Sequence, residues 1–255
     1  MLGPVVDGSF VPALPSLLLL HGQYDNSIDV MVGHNGDEGF GYPALSSDAA
    51  FDGKPSPTNN EYRSVCVQLT DRHLAFVKTL YPNAASSELN YITQDLYPAK
   101  ASNDGVVPGD YDPDNSTSLV VTSYNNTQGR QALLTSDVVI NCNTHYVMEA
   151  FKGRAYSYIL AVPPALHGQD LYYVFYNGQS TDIYFRLINI TLANIMQDYW
   201  TNFARSGNPN DQGVPFFPKW TGNLSVQGLG HDGVGPIPDP LNVTVCNRWQ
   251  LGLYV

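Results

Sequence analysis

Apolar residues recur along this chain with two different periods. Over 60–81, 86–97, 128–151 and 181–206 they return every three or four positions. Examples are Val65, Leu69 and Phe76, then Leu133, Leu134, Val138, Cys142 and Tyr146, and finally Ile188, Leu192, Ile195, Tyr199 and Phe203. Side chains at that spacing share one face of a helix, so four amphipathic helices are predicted. A short helix over 14–21 is opened by Pro15, which has no N–H to lose in a first turn, and closed by Gly22. Another is predicted over 242–251, and Gly207 with Pro209 stops the helix over 181–206. The runs Ile28–Gly33 and Ala155–Ala161 are apolar without helical spacing and predict buried strands, with a third at 223–230.

Between these elements lie segments that favour turns. Asn35-Gly-Asp-Glu-Gly39 ends the first strand, Pro163-Pro-Ala-Leu-His-Gly168 follows the second, and 99–127 is a long loop rich in Asp, Asn, Ser, Pro and Gly. Alternation of strands with helices predicts an α/β architecture. So few strands are legible that the central sheet is expected to be incomplete.

Charge narrows the partners. The chain has 12 basic and 23 acidic residues, a net −11, and such a surface repels nucleic acid and anionic membranes. Its longest aliphatic run, Leu17 to Leu20, is far short of the roughly 20 residues a membrane span needs. Five N-x-[ST] sequons, at Asn115, Asn125, Asn189, Asn223 and Asn242, are the expected glycosylation sites of a secreted protein. Asn189 is expected in the middle of a helix, an unusual place for a glycan. The start, Met1-Leu-Gly-Pro4, lacks the basic opening of a signal peptide, so either the protein is not secreted or its true N-terminus is expected further upstream. There are three cysteines, Cys66, Cys142 and Cys246, and no Cys-x-x-Cys or His-Glu-x-x-His. His21, His73, His145 and His231 are scattered, so neither a metal site nor a cofactor is expected.

Two residues combine reactive type with a place just after a strand, where α/β folds present their chemistry. Glu38 lies in the tight turn after the first strand and His167 in the loop after the second. A carboxylate that orients an imidazole, and an imidazole that takes a proton from a hydroxyl, are two parts of a serine-hydrolase relay. Acid before His is also the α/β-hydrolase order. Spacing alone leaves the other reading open, an acidic turn residue and a loop histidine with no shared task.

Longer motifs add a resemblance. Gly3-Pro-Val-Val-Asp-Gly8 with Phe10-Val-Pro12, Val32-Gly-His-Asn-Gly-Asp-Glu-Gly39, Ala165-Leu-His-Gly168 with Phe175 and Gly178, and Met196 to Asn210 with Trp220 follow one another along nearly the whole chain. In this order they resemble the type-B carboxylesterases, the cholinesterase-like family. The resemblance implies the C-terminal half of an α/β-hydrolase fold, with residues 1–255 forming the later part of a single domain. It implies Glu38 as triad acid, with Asp37 as runner-up, and His167 as general base and then acid. It also implies a disulfide between Cys142 and Cys246. Cys66 matches no pattern and is expected as a free buried thiol. His34 is expected in solvent, and Trp200 and Phe203 in the core.

What the resemblance calls for but the chain lacks is a nucleophile, for no G-x-S-x-G occurs in it. The serine elbow and the oxyanion-hole glycines are expected upstream of Gly3, in a missing N-terminal half. The complete protein is then a carboxylic ester hydrolase acting on small-molecule or lipid esters. The isolated chain is expected to be inactive and to fold poorly. The alternatives are a non-catalytic cholinesterase-like binding or adhesion protein and a degenerate, truncated paralogue.

Overall fold

The computed structural model describes residues 6–39, 83–98, 127–182, 187–222, 225–230 and 233–253. The expected helix over 60–81, nearly all of the loop over 99–127, and Cys66, His73, Asn115, Asn125, Asn223 and His231 lie outside the described residues.

The chain opens with α1 (Pro15–Leu20) and β1 (Val30–Asn35). Helix α2 (Ser86–Tyr91) runs on into a π-helical turn at Ile92–Leu96. Helix α3 (Thr127–Ser136), a π turn at Asp137–Asn141 and α4 (Cys142–Ala150) form one continuous helical segment. Then come β2 (Ala155–Ala161), the short α5 (Leu171–Val174) and α6 (Ile190–Ser206). Strands β3 (Lys219–Trp220), β4 (Ser225–Gly230) and β5 (Val234–Pro238) lead to α7 (Val243–Gln250).

Among the described residues the strands form one mixed sheet in the order β1-β2-β4-β5, with β3 beside the start of β2. Strands β1 and β4 run parallel to β2, while β3 and β5 are antiparallel to their partners. Strand β2 is buried along its whole length. Its alternate side chains enter two different cores, as a strand with both faces covered must. Tyr156, Tyr158 and Leu160 meet Leu192, Ala193, Met196 and Tyr199 of α6 on one face, while Ala155 and Ile159 meet Met148, Phe151 and Trp220 on the other. A third core joins the remaining helices, around Leu89, Ile92, Leu134, Tyr146 and Trp249. Cys142 at the start of α4 and Cys246 in α7 are joined there by a disulfide. No helix among the described residues is long and apolar enough to cross a membrane.

Three sequence expectations are corrected. The first strand spans Val30–Asn35, two residues later than expected, and Val30 to Gly33 are only half-buried because β1 is an outer strand of the described sheet. The late helix starts at Ile190, not 181. The Asn189 side chain accepts the Leu192 N–H and caps it, so this asparagine begins a helix and does not sit mid-helix. Its apparent periodicity runs further back because Ile188, just outside the cap, packs into the same core. Strand β5 was not foreseen: Pro236 and Pro238 hide it in sequence, yet at a sheet edge Pro is tolerated because one side of the strand needs no ladder partner.

Candidate active site

Parallel pairing of β1 and β2 places their C-terminal ends side by side, in the register Asn35 opposite Leu160. The pairing continues past the strands. The Gly36 N–H donates to Leu160 O at 2.8 Å, the Asp37 N–H donates to Ala165 O at 2.8 Å, and Asp37 bridges to Leu166. This extension carries the acid turn and the histidine loop forward together. Ala165 adopts a left-handed conformation, φ 54°, which turns the chain sharply just ahead of His167. Gly39 closes the acid turn against α3: its N–H donates to Ser136 Oγ at 2.6 Å, and a Cβ on it would fall 1.8 Å from Ala132 O.

Glu38 and His167 meet at the end of this arrangement. Glu38 Oε2 lies 2.6 Å from His167 Nδ1. The carboxylate accepts only, so Nδ1 carries the proton and Nε2 has the lone pair of the neutral ring. Glu38 Oε1 accepts the Asn35 backbone N–H at 2.6 Å and the Asn35 side-chain amide at 3.1 Å. The Glu38 side chain is nearly buried, while about half of the His167 side chain is exposed.

The electrostatics follow from these contacts. Burial pushes the Glu38 carboxyl up, but the His167 hydrogen bond, the Asn35 N–H and the charges of His167 and His34 together hold it below its ordinary value. The Glu38 hydrogen bond raises the His167 imidazole above its ordinary value. Partial burial opposes this, and the charges of Glu38 and Asp170 add to the rise. The neighbouring Asp37 behaves differently. Burial and then the Glu38 charge push its carboxyl up to about 7, and among the described residues its Oδ1 has no hydrogen-bond partner. The carboxylate at the imidazole is that of Glu38, not Asp37.

The Carboxylesterase family profile matches residues 1–227. The chain belongs to that family. It is 32% identical over 249 residues to carboxylesterase patB of Penicillium expansum, covering 97% of this chain and 37% of that protein. It is 25% identical over 234 residues to bile salt-activated lipase of Rattus norvegicus, covering 85% and 33% respectively. In fold it resembles the crystal structure of Aspergillus niger EstA, with a TM-score of 0.65 at 19% identity over 99% of this chain and 46% of that one. The architecture is accordingly part of an α/β-hydrolase fold, and the chain spans about a third of the length of these two curated relatives.

Other residues of the family motifs fall into place around the pair. His34, expected in solvent, is buried at 2% exposure, with Nδ1 2.8 Å from Asn35 O. The strand lasts to Asn35, and alternation puts His34 on the face of Val30 and Val32, which packs against the core beneath α4. Trp200 and Phe203 pack against the α6 core, partly buried. His145 is buried too, whereas His21 is exposed. Sequence reasoning assigned nothing to Asp170 or Tyr158. Asp170 Oδ1 accepts from the Asn35 amide at 3.1 Å and Oδ2 from the Tyr158 hydroxyl at 2.9 Å. Burial, then the charge and hydrogen bond of Asp170, push the Tyr158 phenol well above its ordinary value, so it remains a donor. Both residues also line a mostly apolar cavity of about 550 Å³, together with Leu171, Val174, Phe175 and Trp200. One signal could have pointed to Asp170: its position three residues after His167, on the same turn.

Proposed function

We propose that this chain supplies the acid and base of a serine-type carboxylic ester hydrolase, with Glu38 as acid and His167 as base. The supporting observation is the 2.6 Å contact between Glu38 Oε2 and His167 Nδ1 at the ends of adjacent parallel strands. In this reading residues 1–255 are the later part of one domain. The nucleophilic serine and the oxyanion-hole donors come from the part of the family's length that this chain does not span.

The chemistry then takes two steps. The serine Oγ bonds to the ester carbonyl carbon while its proton passes to His167 Nε2. Glu38, through Nδ1–H, keeps the tautomer in which Nε2 can accept and stabilises the imidazolium that forms. The bond from the carbonyl carbon to the alkoxy oxygen breaks, and His167 returns its proton to the departing alcohol. Water repeats the sequence on the acyl-enzyme: its proton goes to Nε2, the acyl–Oγ bond breaks, and the serine is reprotonated. The substrates are esters of small molecules or lipids, and the protein is secreted, with glycans at Asn115, Asn125, Asn189, Asn223 or Asn242.

The experiment begins by mapping the 5′ end of the transcript and expressing the protein it encodes. That protein should hydrolyse p-nitrophenyl esters. His167→Ala should lower kcat by about a thousandfold or more, and the 255-residue chain alone should show no turnover above background. A transcript that encodes no serine elbow, or a His167→Ala protein that keeps wild-type activity, would overturn the reading.

A further inference from the structure

Asn35 makes three side-chain hydrogen bonds, each to one of the two loops that carry the acid and the base. Its amide nitrogen donates to Glu38 Oε1 at 3.1 Å and to Asp170 Oδ1 at 3.1 Å. Its amide oxygen accepts the Asp170 backbone N–H at 3.1 Å, which fixes which end of the amide is nitrogen. Asn35 is 1% exposed, so its amide is shielded from water, and its bond to Glu38 is buried at both ends. Asp170 is itself held by the Tyr158 hydroxyl on its second oxygen. An amide is the side chain that can do this. Two carboxylates face each other across it, and only a neutral group with two donors satisfies both while offering an acceptor to the backbone.

We propose that Asn35, anchored by Asp170 and Tyr158, is the positioning residue of the Glu38–His167 pair. It holds Glu38 by Oε1, so that Oε2 is the oxygen presented to the imidazole. It also ties the end of β1 to the turn that follows His167, which sets the separation between acid and base. The kinetic consequence rests on the ester-hydrolase reading; the effect on the imidazole does not.

The test uses the protein that contains this chain, as wild type, Asn35→Ala, Asn35→Asp and Asp170→Asn. Hydrolysis of p-nitrophenyl butyrate is followed against pH, and the His167 ring is followed by NMR with labelled histidine. Asn35→Ala should lower kcat about 10- to 100-fold, with KM little changed, and should shift or broaden the Nδ1–H resonance. Asn35→Asp puts a third carboxylate beside Glu38 and Asp170, so the His167 ring should titrate at higher pH. Asp170→Asn removes one of the charges that favour the imidazolium, so the ring should titrate at lower pH. Asp170→Asn is nearly isosteric, and its kcat above the titration of His167, where the lost charge no longer sets the protonation state, decides the matter where Asn35→Ala does not fold. A fall in kcat is expected, and wild-type kcat there would overturn the proposal. Folded variants with wild-type kcat, pH profile and His167 resonances would overturn the proposal. Failure of the ester-hydrolase reading would appear separately, as activity that survives His167→Ala, and the NMR measurement would still decide the role of Asn35.

Discussion

The ring of Tyr158 occupies the space that a side chain on Gly33 would need. The two residues are opposite one another in the β1–β2 register, and a Cβ on Gly33 would lie 2.4 Å from two carbons of the ring. The bare Cα lets Tyr158 lie against β1 with its hydroxyl on Asp170. Gly33→Ala should therefore overpack the site and lower stability by about 1–3 kcal/mol. Gly235→Ala in β5, where nothing lies within 4 Å of the added Cβ, is the control. Urea unfolding of both variants checks this; equal midpoints would show that the Tyr158 ring yields freely.

Removing the Glu38 charge should change a pH profile in a known direction. The hydrogen bond that His167 donates to Glu38 is the largest cause of the raised His167 pKa. A base must be neutral to accept a proton, so in the proposed ester hydrolase the acid limb of kcat/KM reports His167. In Glu38→Gln that limb should move to lower pH, while kcat falls by on the order of a thousandfold because the tautomer is no longer held. A limb that stays in place would mean that another group controls it.

Asp37 should make the fold less stable as pH rises. Its folded-state pKa of about 7 is above the ordinary 3.8. Between those values the native state keeps a proton that the unfolded chain has released. Stability therefore falls from about pH 4 to about pH 7 and levels off above that. Asp37→Asn is neutral throughout, so it should match wild type near pH 4 and exceed it by a few kcal/mol near pH 8. Denaturation midpoints of the two proteins across that range give the answer. Taking their difference cancels Asp137, whose carboxyl burial pushes up to about 6.

Asn242 separates capping from glycosylation. Its Oδ1 accepts the Val245 N–H at 3.3 Å and caps α7, while Asn242 is also the first residue of a sequon. In protein made in bacteria, Asn242→Ala should cost about 1 kcal/mol through the lost cap, and Thr244→Ala, which breaks only the sequon, should cost little. In protein secreted from a eukaryotic host, both changes should remove the same glycan mass from an occupied site. Mass spectrometry and urea unfolding together distinguish the two roles.

Much of the fold was legible wherever one local pattern decided the outcome. Ala155–Ala161 is a strand at the expected limits because an apolar run buried on both faces admits little else. Helix α1 begins at the expected Pro15 and ends at Leu20, just before Gly22. Elements whose limits depend on a partner were misjudged. The start of α6 was set by a cap, and the length of β1 and the burial of His34 by the strand beside them.

Local chemistry was enough to mark an acid in a turn, a histidine in a loop, the order of the two, and the motifs that carry the family resemblance. Contact between residues 129 positions apart was not available to it. Parallel pairing of β1 with β2 decided that Glu38 and not Asp37 would face the imidazole, because register assigns each side chain of a turn a fixed direction. The same register brought Tyr158 over Gly33, and through Asp170 and Asn35 back to Glu38. Gly33, Asn35 and Glu38 share one motif, but nothing along the chain ties them to Tyr158 and Asp170, since hydrogen bonds across a sheet depend on which strands become neighbours and not on spacing.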